Sequence, residues 1–470
     1  MSKTELLSPA GTFKNMEYAF AYGADAVYAG QPRYSLRVRN NDFKLENLER
    51  GINRAHELGK KFYVASNIAP HNSKIATYMA DIEPVIQMKP DALIMSDPGL
   101  IMMVKDKWPD VPIHLSVQAN VVNWAAVKFW HRQGVERIIL SRELSLEEIE
   151  EIRMQCPEME LEVFVHGALC IAYSGRCLLS GYMNKRDPNQ GTCTNACRWK
   201  YDAHPATETE TGNIIPEGAL EFDPLKDRKK PSNIITDVSD VNFADKGEQI
   251  QSTLGIGEPV DDIVLLQEEG RPGELMPAFE DEHGTYIMNS KDLRAIQHIQ
   301  KLVDIGVHSL KIEGRTKSFY YVARTAQAYR KAIDDAIAGR PFDMNLMDTL
   351  ENMSNRGYTE GFYRRHVHDE YQNYERGSSM SVSQQFVGDI TYQADGWLTV
   401  EVKNRFEVGD VMELMTPEKN FIFELKQITS TDNEPRNDAP GSGFVVKIPA
   451  PEGFDGVSIE RALLIRNLPQ

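Results

Sequence analysis

The chain has 470 residues, 41% of them hydrophobic and 26% charged, with a formal net charge of −17. The length exceeds one ordinary core and predicts two or three domains. No stretch reaches the roughly 18 to 20 uncharged apolar residues of a membrane span, and "MSKTELLSPAGTF" lacks the apolar run of a secretory signal, so a cytoplasmic protein with no membrane partner is expected.

Short, nearly continuous apolar runs recur from the start: "ELLSPA" (5–10), "AVYAG" (26–30), "KFYVAS" (61–66), "ALIMSD" (92–97), "IHLSVQ" (113–118), "RIILSR" (137–142) and "LEVFVH" (161–166). Runs of this kind suit parallel strands covered on both faces. Helical segments lie between them, several closed by a glycine suited to a left-handed stop, such as Gly23, Gly59 and Gly134. Ser145 and Glu148 form a capping-box pair ahead of "LEEIEEIR". After a long interval, "YIMNSKDLRAIQHIQKLVDIG" (286–306) reads as a helix, "VHSLKIEGR" (307–315) as an eighth strand and 316–339 as its helix.

Eight such units predict a (β/α)8 TIM-like barrel over 1–340, with an insertion at 168–285 between strands seven and eight. A doubly wound open sheet is the alternative, but it would want a Gly-rich phosphate turn after the first strand. A linker is expected over 341–380. Beyond it, the period-two runs in "WLTVEVKNRFEVGDVMELM", "FIFELKQI" and "GFVVKIPAP" predict a small C-terminal all-β barrel over 381–470. Such a domain either packs on the large barrel or grips RNA.

Chemistry in a (β/α)8 barrel sits where the strands end. Here those positions are Ser8, Gly30, Gln31, Asn67, Asp97, Gln118, Arg142, Glu143, His166, Glu313 and Arg315. Each singly has a structural alternative as a satisfied core group; together they predict a polar mouth. His166, Glu143 and Glu313 are its candidates for proton transfer, and Asn67, Gln118, Arg142 and Arg315 for substrate binding. "RYSLRVRNND" after strand two adds Arg33, Arg37 and Arg39, whose guanidinium forks suit carboxylate or phosphate, unless the loop is merely solvated.

The insertion opens on "HGALCIAYSGRCLLSGYMNKRDPNQGTCTNACRW" (166–199), which holds Cys170, Cys177, Cys193 and Cys197, four of the five cysteines. In a reducing cytosol such a cluster points to metal binding or catalysis. Four thiolates suit zinc or an iron–sulfur cluster. The six-residue gap in the first pair departs from the tight knuckles of zinc ribbons and leans toward a cubane cluster, though spacing leaves both open. Cys170 beside His166 would also imitate a Cys–His nucleophile pair, while Cys156 stands apart. Zincin, nucleophile-elbow and Walker patterns are absent.

The insertion then turns acidic. Residues 201–282 carry 20 Asp and Glu against 6 Lys and Arg. The chain's acidity opposes a nucleic-acid partner, but its concentration in one segment leaves basic patches possible elsewhere. "EFDPLKDRKKPSN" and "STLGIGEPVDD" read as mobile surface, and the acidic segment is expected to lie off any RNA-binding face or to be disordered.

The stretches "ELLSPAGTFKNMEYAFAYGADAVYAGQPRYSLRVRNN", "FVHGALCIAYSGRCLLSGYMNKRDPNQGTCTNACRW", "HSLKIEGRTKSFYYVARTAQAYRKAIDDA" and "RGYTEGF" closely resemble the prephenate-dependent tRNA uridine hydroxylases of the collagenase-like peptidase family. The resemblance covers the chain apart from the acidic insert near 202–255. It implies oxygen-independent hydroxylation of the tRNA wobble uridine, in the anticodon loop, to 5-hydroxyuridine, with prephenate as co-substrate. It also implies a [4Fe–4S] cluster on Cys170, Cys177, Cys193 and Cys197. Relatives that hydroxylate an rRNA cytidine or serve ubiquinone synthesis supply an alternative within the family. A zinc-bound RNA-binding module is an alternative outside it, and a peptidase is unsupported by any protease motif.

Overall fold

A computed structural model describes residues 4–36, 42–169, 173, 176, 292–353, 357–364 and 383–468, together with the backbone of six short strands within 201–285. Seven parallel strands come first: β1 (Glu5–Pro9), β2 (Ala26–Gly30), β3 (Lys61–Ser66), β4 (Ala92–Met95), β5 (Ile113–Leu115), β6 (Arg137–Ile139) and β7 (Glu160–Ala168). Between them lie α1 (Phe13–Ala21), α2 (Leu45–Glu57), α3 (Asn72–Gln87), α4 (Pro98–Lys107), α5 (Trp124–Arg132) and α6 (Leu146–Gln155). Each strand pairs in parallel with the next in chain order.

Local chemistry starts these helices. Thr12, Asp97 and Asn123 each accept a first-turn amide with their side chains, and Ser145 and Glu148 close the capping box expected of them. Asp97 is thereby used up as the cap of α4, accepting from Leu100 N at 2.9 Å.

Within 201–285, β8 (Tyr201–Glu208), β9 (Ile214–Pro216), β10 (Val264–Glu268) and β11 (Leu275–Ala278) form an antiparallel sheet in the order β11-β10-β8-β9, followed by the hairpin β12 (Glu280–Asp281) and β13 (Gly284–Thr285). They belong to a second compact unit, Asn195–Asn289. The two segments read as mobile surface lie outside the described residues.

The chain then re-enters the barrel unit through β14 (Asp292–Arg294), α7 (Ile299–Ile305), β15 (Ser309–Ile312) and α8 (Phe319–Ile337). β15 pairs in parallel with both β7 and β1, and this closes an eight-stranded barrel. The (β/α)8 expectation holds, with the insertion between strands seven and eight. One element differs. Among the described residues of 286–306 the α-helix spans Ile299–Ile305, preceded by a 3-10 turn at Ile296–His298 and ending at Gly306 in the left-handed region (φ 82°). Residues 292–294 instead run antiparallel to His166–Ala168, because β7 outruns its barrel neighbours and its last backbone groups need a partner. Leu293, which alternates with two polar neighbours, is buried in that pairing.

After α9 (Asn345–Glu351), β16 (Tyr358–Thr359) pairs in parallel with β14. The region from 383 onward is an antiparallel all-β domain built mainly on one eight-stranded sheet, including Gln384–Ala394, Trp397–Val402, Val411–Met415 and Leu463–Asn467. It has its own core around Val387, Leu398, Val400, Leu414 and Leu464. Met415, Leu463 and Ile465 belong to the barrel's core, so the two share a buried apolar seam. Among the described residues no helix is long and apolar enough to cross a membrane.

Candidate active site at the barrel mouth

Alternate residues of β7, Glu162, Phe164 and His166, are all buried and rank polar chemistry along the barrel. At the first level Arg137 binds Glu5 (2.6 Å) and Glu162 (3.3 Å), and Lys311 binds Glu162 (2.8 Å). Tyr63 and Ser309 donate to Glu5 at 2.8 and 2.9 Å. Burial alone would raise the Glu5 carboxyl, but the Arg137 guanidinium, the Tyr63 hydroxyl and the charge of Lys61 hold it below the ordinary carboxylate range. Burial lowers Lys311, opposed by Glu162. Nearby His114 is kept neutral by burial and by Arg137. These are tightly paired charges beneath the mouth, a floor rather than a reaction site.

One level up, Arg142 lies 3.7 Å over the Phe164 ring and 3.6 Å from the Glu313 carboxylate. Ser141 donates to Glu143. Asn67 donates to Ser116 Oγ (3.1 Å) and to Gln118 (3.0 Å), and Ser116 also binds Gln118. Arg315 donates to Ser35 Oγ at 2.6 Å. Gly30 is required beside that bond, since a Cβ there would sit 2.5 Å from Ser35 Oγ.

His166 ends the ladder. It is 1% exposed and packed against Tyr329, Tyr321 and Tyr358 at ring distances of 5.4 to 5.8 Å. The Tyr329 hydroxyl donates to Val165 O at 2.7 Å, so toward His166 Nδ1, 3.3 Å away, it accepts. That places the imidazole proton on Nδ1 and leaves a lone pair on Nε2, which is buried with no hydrogen-bond partner among the described residues. Burial, then the charges of Lys317 and Arg294, push the His166 pKa down to about 3. The ring is a neutral acceptor at physiological pH. Gly167, at φ 105°, is needed next to it, because a Cβ would meet the Glu313 carbonyl at 2.5 Å.

The structure therefore brings Arg142 to Glu313 and Asn67 to Gln118, and holds Arg315 by Ser35 and His166 in an aromatic cage. Arg33 is paired elsewhere: it binds Asp81 of α3 at 2.8 Å with 60% of its side chain exposed. Arg37, Arg39, Cys170, Cys177, Cys193 and Cys197 lie outside the described residues. Cys156 stands apart as expected, buried at the end of α6.

Sequence reasoning missed Phe164, Ser35, Tyr321, Tyr329 and Tyr358. The period-two pattern Glu162, Phe164, His166 was a usable signal for the first. The tyrosines reach His166 only through the closed fold.

The family description "Peptidase family U32" matches residues 11–373, and its C-terminal domain matches 382–466. The chain is 62% identical to tRNA hydroxylation protein P of Escherichia coli (strain K12), over 99% of this chain and 97% of that one. It is 60% identical to the protein of the same name from Haemophilus influenzae, over 99% and 96%. Similarity extends at 28% identity to the 23S rRNA 5-hydroxycytidine C2501 synthase of Escherichia coli, over 91% of this chain and 55% of that protein. These matches over both domains bear out the family resemblance read from the sequence: the chain belongs to peptidase family U32.

Proposed function

We propose that this protein is a cytoplasmic tRNA-modifying enzyme that hydroxylates the wobble uridine of the anticodon loop to 5-hydroxyuridine without molecular oxygen, using prephenate. The observation that carries the reading is the full-length identity of 62% to a tRNA hydroxylation protein. The polar barrel mouth with its buried acceptor supports it. An anticodon base is already single-stranded, so presenting it to a recessed mouth costs little pairing energy.

Replacing C5–H of uracil by C5–OH is a two-electron oxidation beyond the reach of side-chain acids and bases. A [4Fe–4S] cluster would relay the two electrons singly to an external acceptor, with the hydroxyl oxygen supplied by water or by the co-substrate. Cys170, Cys177, Cys193 and Cys197 are the donors that would hold it, a four-thiolate set that fits such a cluster, and Cys170 follows β7 within two residues. Among the described residues no three His, Cys, Asp or Glu side chains converge on a metal-sized point.

In this reading Arg142 and Arg315 clamp the two carboxylates of prephenate, aided by Arg37 and Arg39, while Arg33 stays on Asp81. Asn67 and Gln118 orient the base. His166 Nε2 accepts a hydrogen bond from the substrate, and Glu143 and Glu313 move protons at the rim. Mass spectrometry of nucleosides from a deletion strain tests the proposal. 5-Hydroxyuridine should vanish from tRNA and return with the wild-type gene, but not with Cys170→Ser or when prephenate is withheld. Normal 5-hydroxyuridine in the deletion strain, with a hydroxycytidine lost from rRNA instead, would move the assignment to rRNA.

A further inference from the structure

A second feature opens beside the mouth. Asn15 of α1 donates Nδ2 to Lys317 O at 3.0 Å, which ties the start of α1 to the loop between β15 and α8. Between these and the start of α2 lies a groove of about 790 Å³. Among the described residues its charged lining is Lys14, Lys44, Arg50 and Lys317 against Asp42. Two helices begin on it, capped by Thr12 and Ser318, and their dipoles add positive potential. Aromatic faces sit among the cations: Lys14 lies 3.6 Å over the Phe319 ring and Arg50 lies 4.1 Å over Phe13.

In a chain of net charge −17, Lys44, Arg50 and Lys317 outweigh Asp42 around one groove and form a local reversal of sign, while the charge of Lys14 is met by Asp389 at 3.1 Å. Its size is several times that of a single phosphate or carboxylate group, and cations interleaved with aromatic rings suit a polyanion that carries flat bases. The groove also leads inward. Lys317 lies 5.2 Å over the Tyr321 ring, and Tyr321 packs 5.8 Å from His166. We propose that this groove binds the sugar-phosphate backbone of the RNA strand whose base enters the barrel mouth, an inference that rests on the RNA-modifying reading above. The fit is to backbone and not to sequence, since the lining supplies charge and stacking without a set of fixed donors for base edges.

The test uses the full-length protein and a synthetic anticodon stem-loop, with binding followed by fluorescence anisotropy over a range of NaCl concentrations. The double variant Lys44→Ala with Arg50→Ala should bind several-fold more weakly. Its dependence of log Kd on log salt should fall by about one unit per residue removed. The same loss should appear with a stem-loop of unrelated sequence. Lys44→Glu should weaken binding more than Lys44→Ala. Lys128→Ala with Arg132→Ala on α5 removes the same charge from another surface and should change neither affinity nor slope. Wild-type affinity and slope in the groove variant would overturn the groove and leave the RNA reading standing. Absence of RNA binding by the wild-type protein would overturn both.

Discussion

His166 shows how a single side chain is shaped by its surroundings. Its position could be read from the sequence, because "LEVFVH" ends a strand and strand ends face the mouth. Its state could not, because the cage that sets it includes Tyr329, 163 residues further along. Burial and two cations hold the folded-state pKa near 3 against an ordinary value of 6.5. Below about pH 6.5 the unfolded chain therefore takes up a proton that the folded protein refuses, and stability is lost as pH falls through that range toward 3. The contribution is about 1.4 kcal/mol per pH unit. His166→Phe keeps an aromatic ring in the cage and removes the titration. Urea unfolding at a series of pH values between 4 and 6.5 should show a shallower fall in stability by about that slope. The variant should also lose the modification, since Phe offers no acceptor in place of Nε2. An unchanged pH slope would mean that the imidazole is not held neutral in the fold.

At the scale of elements, the link that matters most joins α8 to the C-terminal sheet. Arg324 of α8 is buried and makes two bonds of 2.7 Å to Glu413, which also accepts from Gln384 and Asn420. Tyr22, the C-cap of α1, places its hydroxyl 2.9 Å from Arg461 O, and Lys14 binds Asp389 at 3.1 Å. Burial would raise the Glu413 carboxyl, yet the Arg324 guanidinium and the amide donors hold it below the ordinary range. Its stabilising contribution is thus complete above the usual glutamate pKa and is lost as pH falls through the lowered one. Glu413→Ala would leave a buried guanidinium without its partner and should cost about 3 to 5 kcal/mol, measured by chemical denaturation at neutral pH. Because barrel and sheet share core residues, both should unfold in one transition in the wild-type protein. None of this was visible in the sequence, where Arg324 sits in an ordinary amphipathic helix. The strands and their order were legible because each buried strand announces itself by a local apolar run. β14 was not, because "LRAIQHIQKLV" carries a helical spacing and only the overhang of β7 decides the fate of its first residues.

Charge is partitioned over the whole molecule, and that partition bears on how an acidic protein would hold RNA. Residues 201–282 account for most of the net −17, so the barrel and C-terminal sheet are close to neutral and their basic groove is not swamped by their own charge. The segment 217–263, between β9 and β10, contributes 11 acidic against 5 basic residues. The ladders β8–β10 and β8–β9 use none of its backbone, so replacing it with a short Gly-Ser connection should preserve that sheet. Repulsion between this segment and phosphates reaches about 30 Å at 10 mM salt but only about 8 Å at 150 mM. If the segment acts only through its charge, its removal should tighten binding of an anticodon stem-loop at low salt and leave it unchanged near physiological salt. A marked loss of binding at both salt concentrations would show instead that the segment grips RNA directly, through its five cations or its backbone, and that the acidic insertion is part of the binding face.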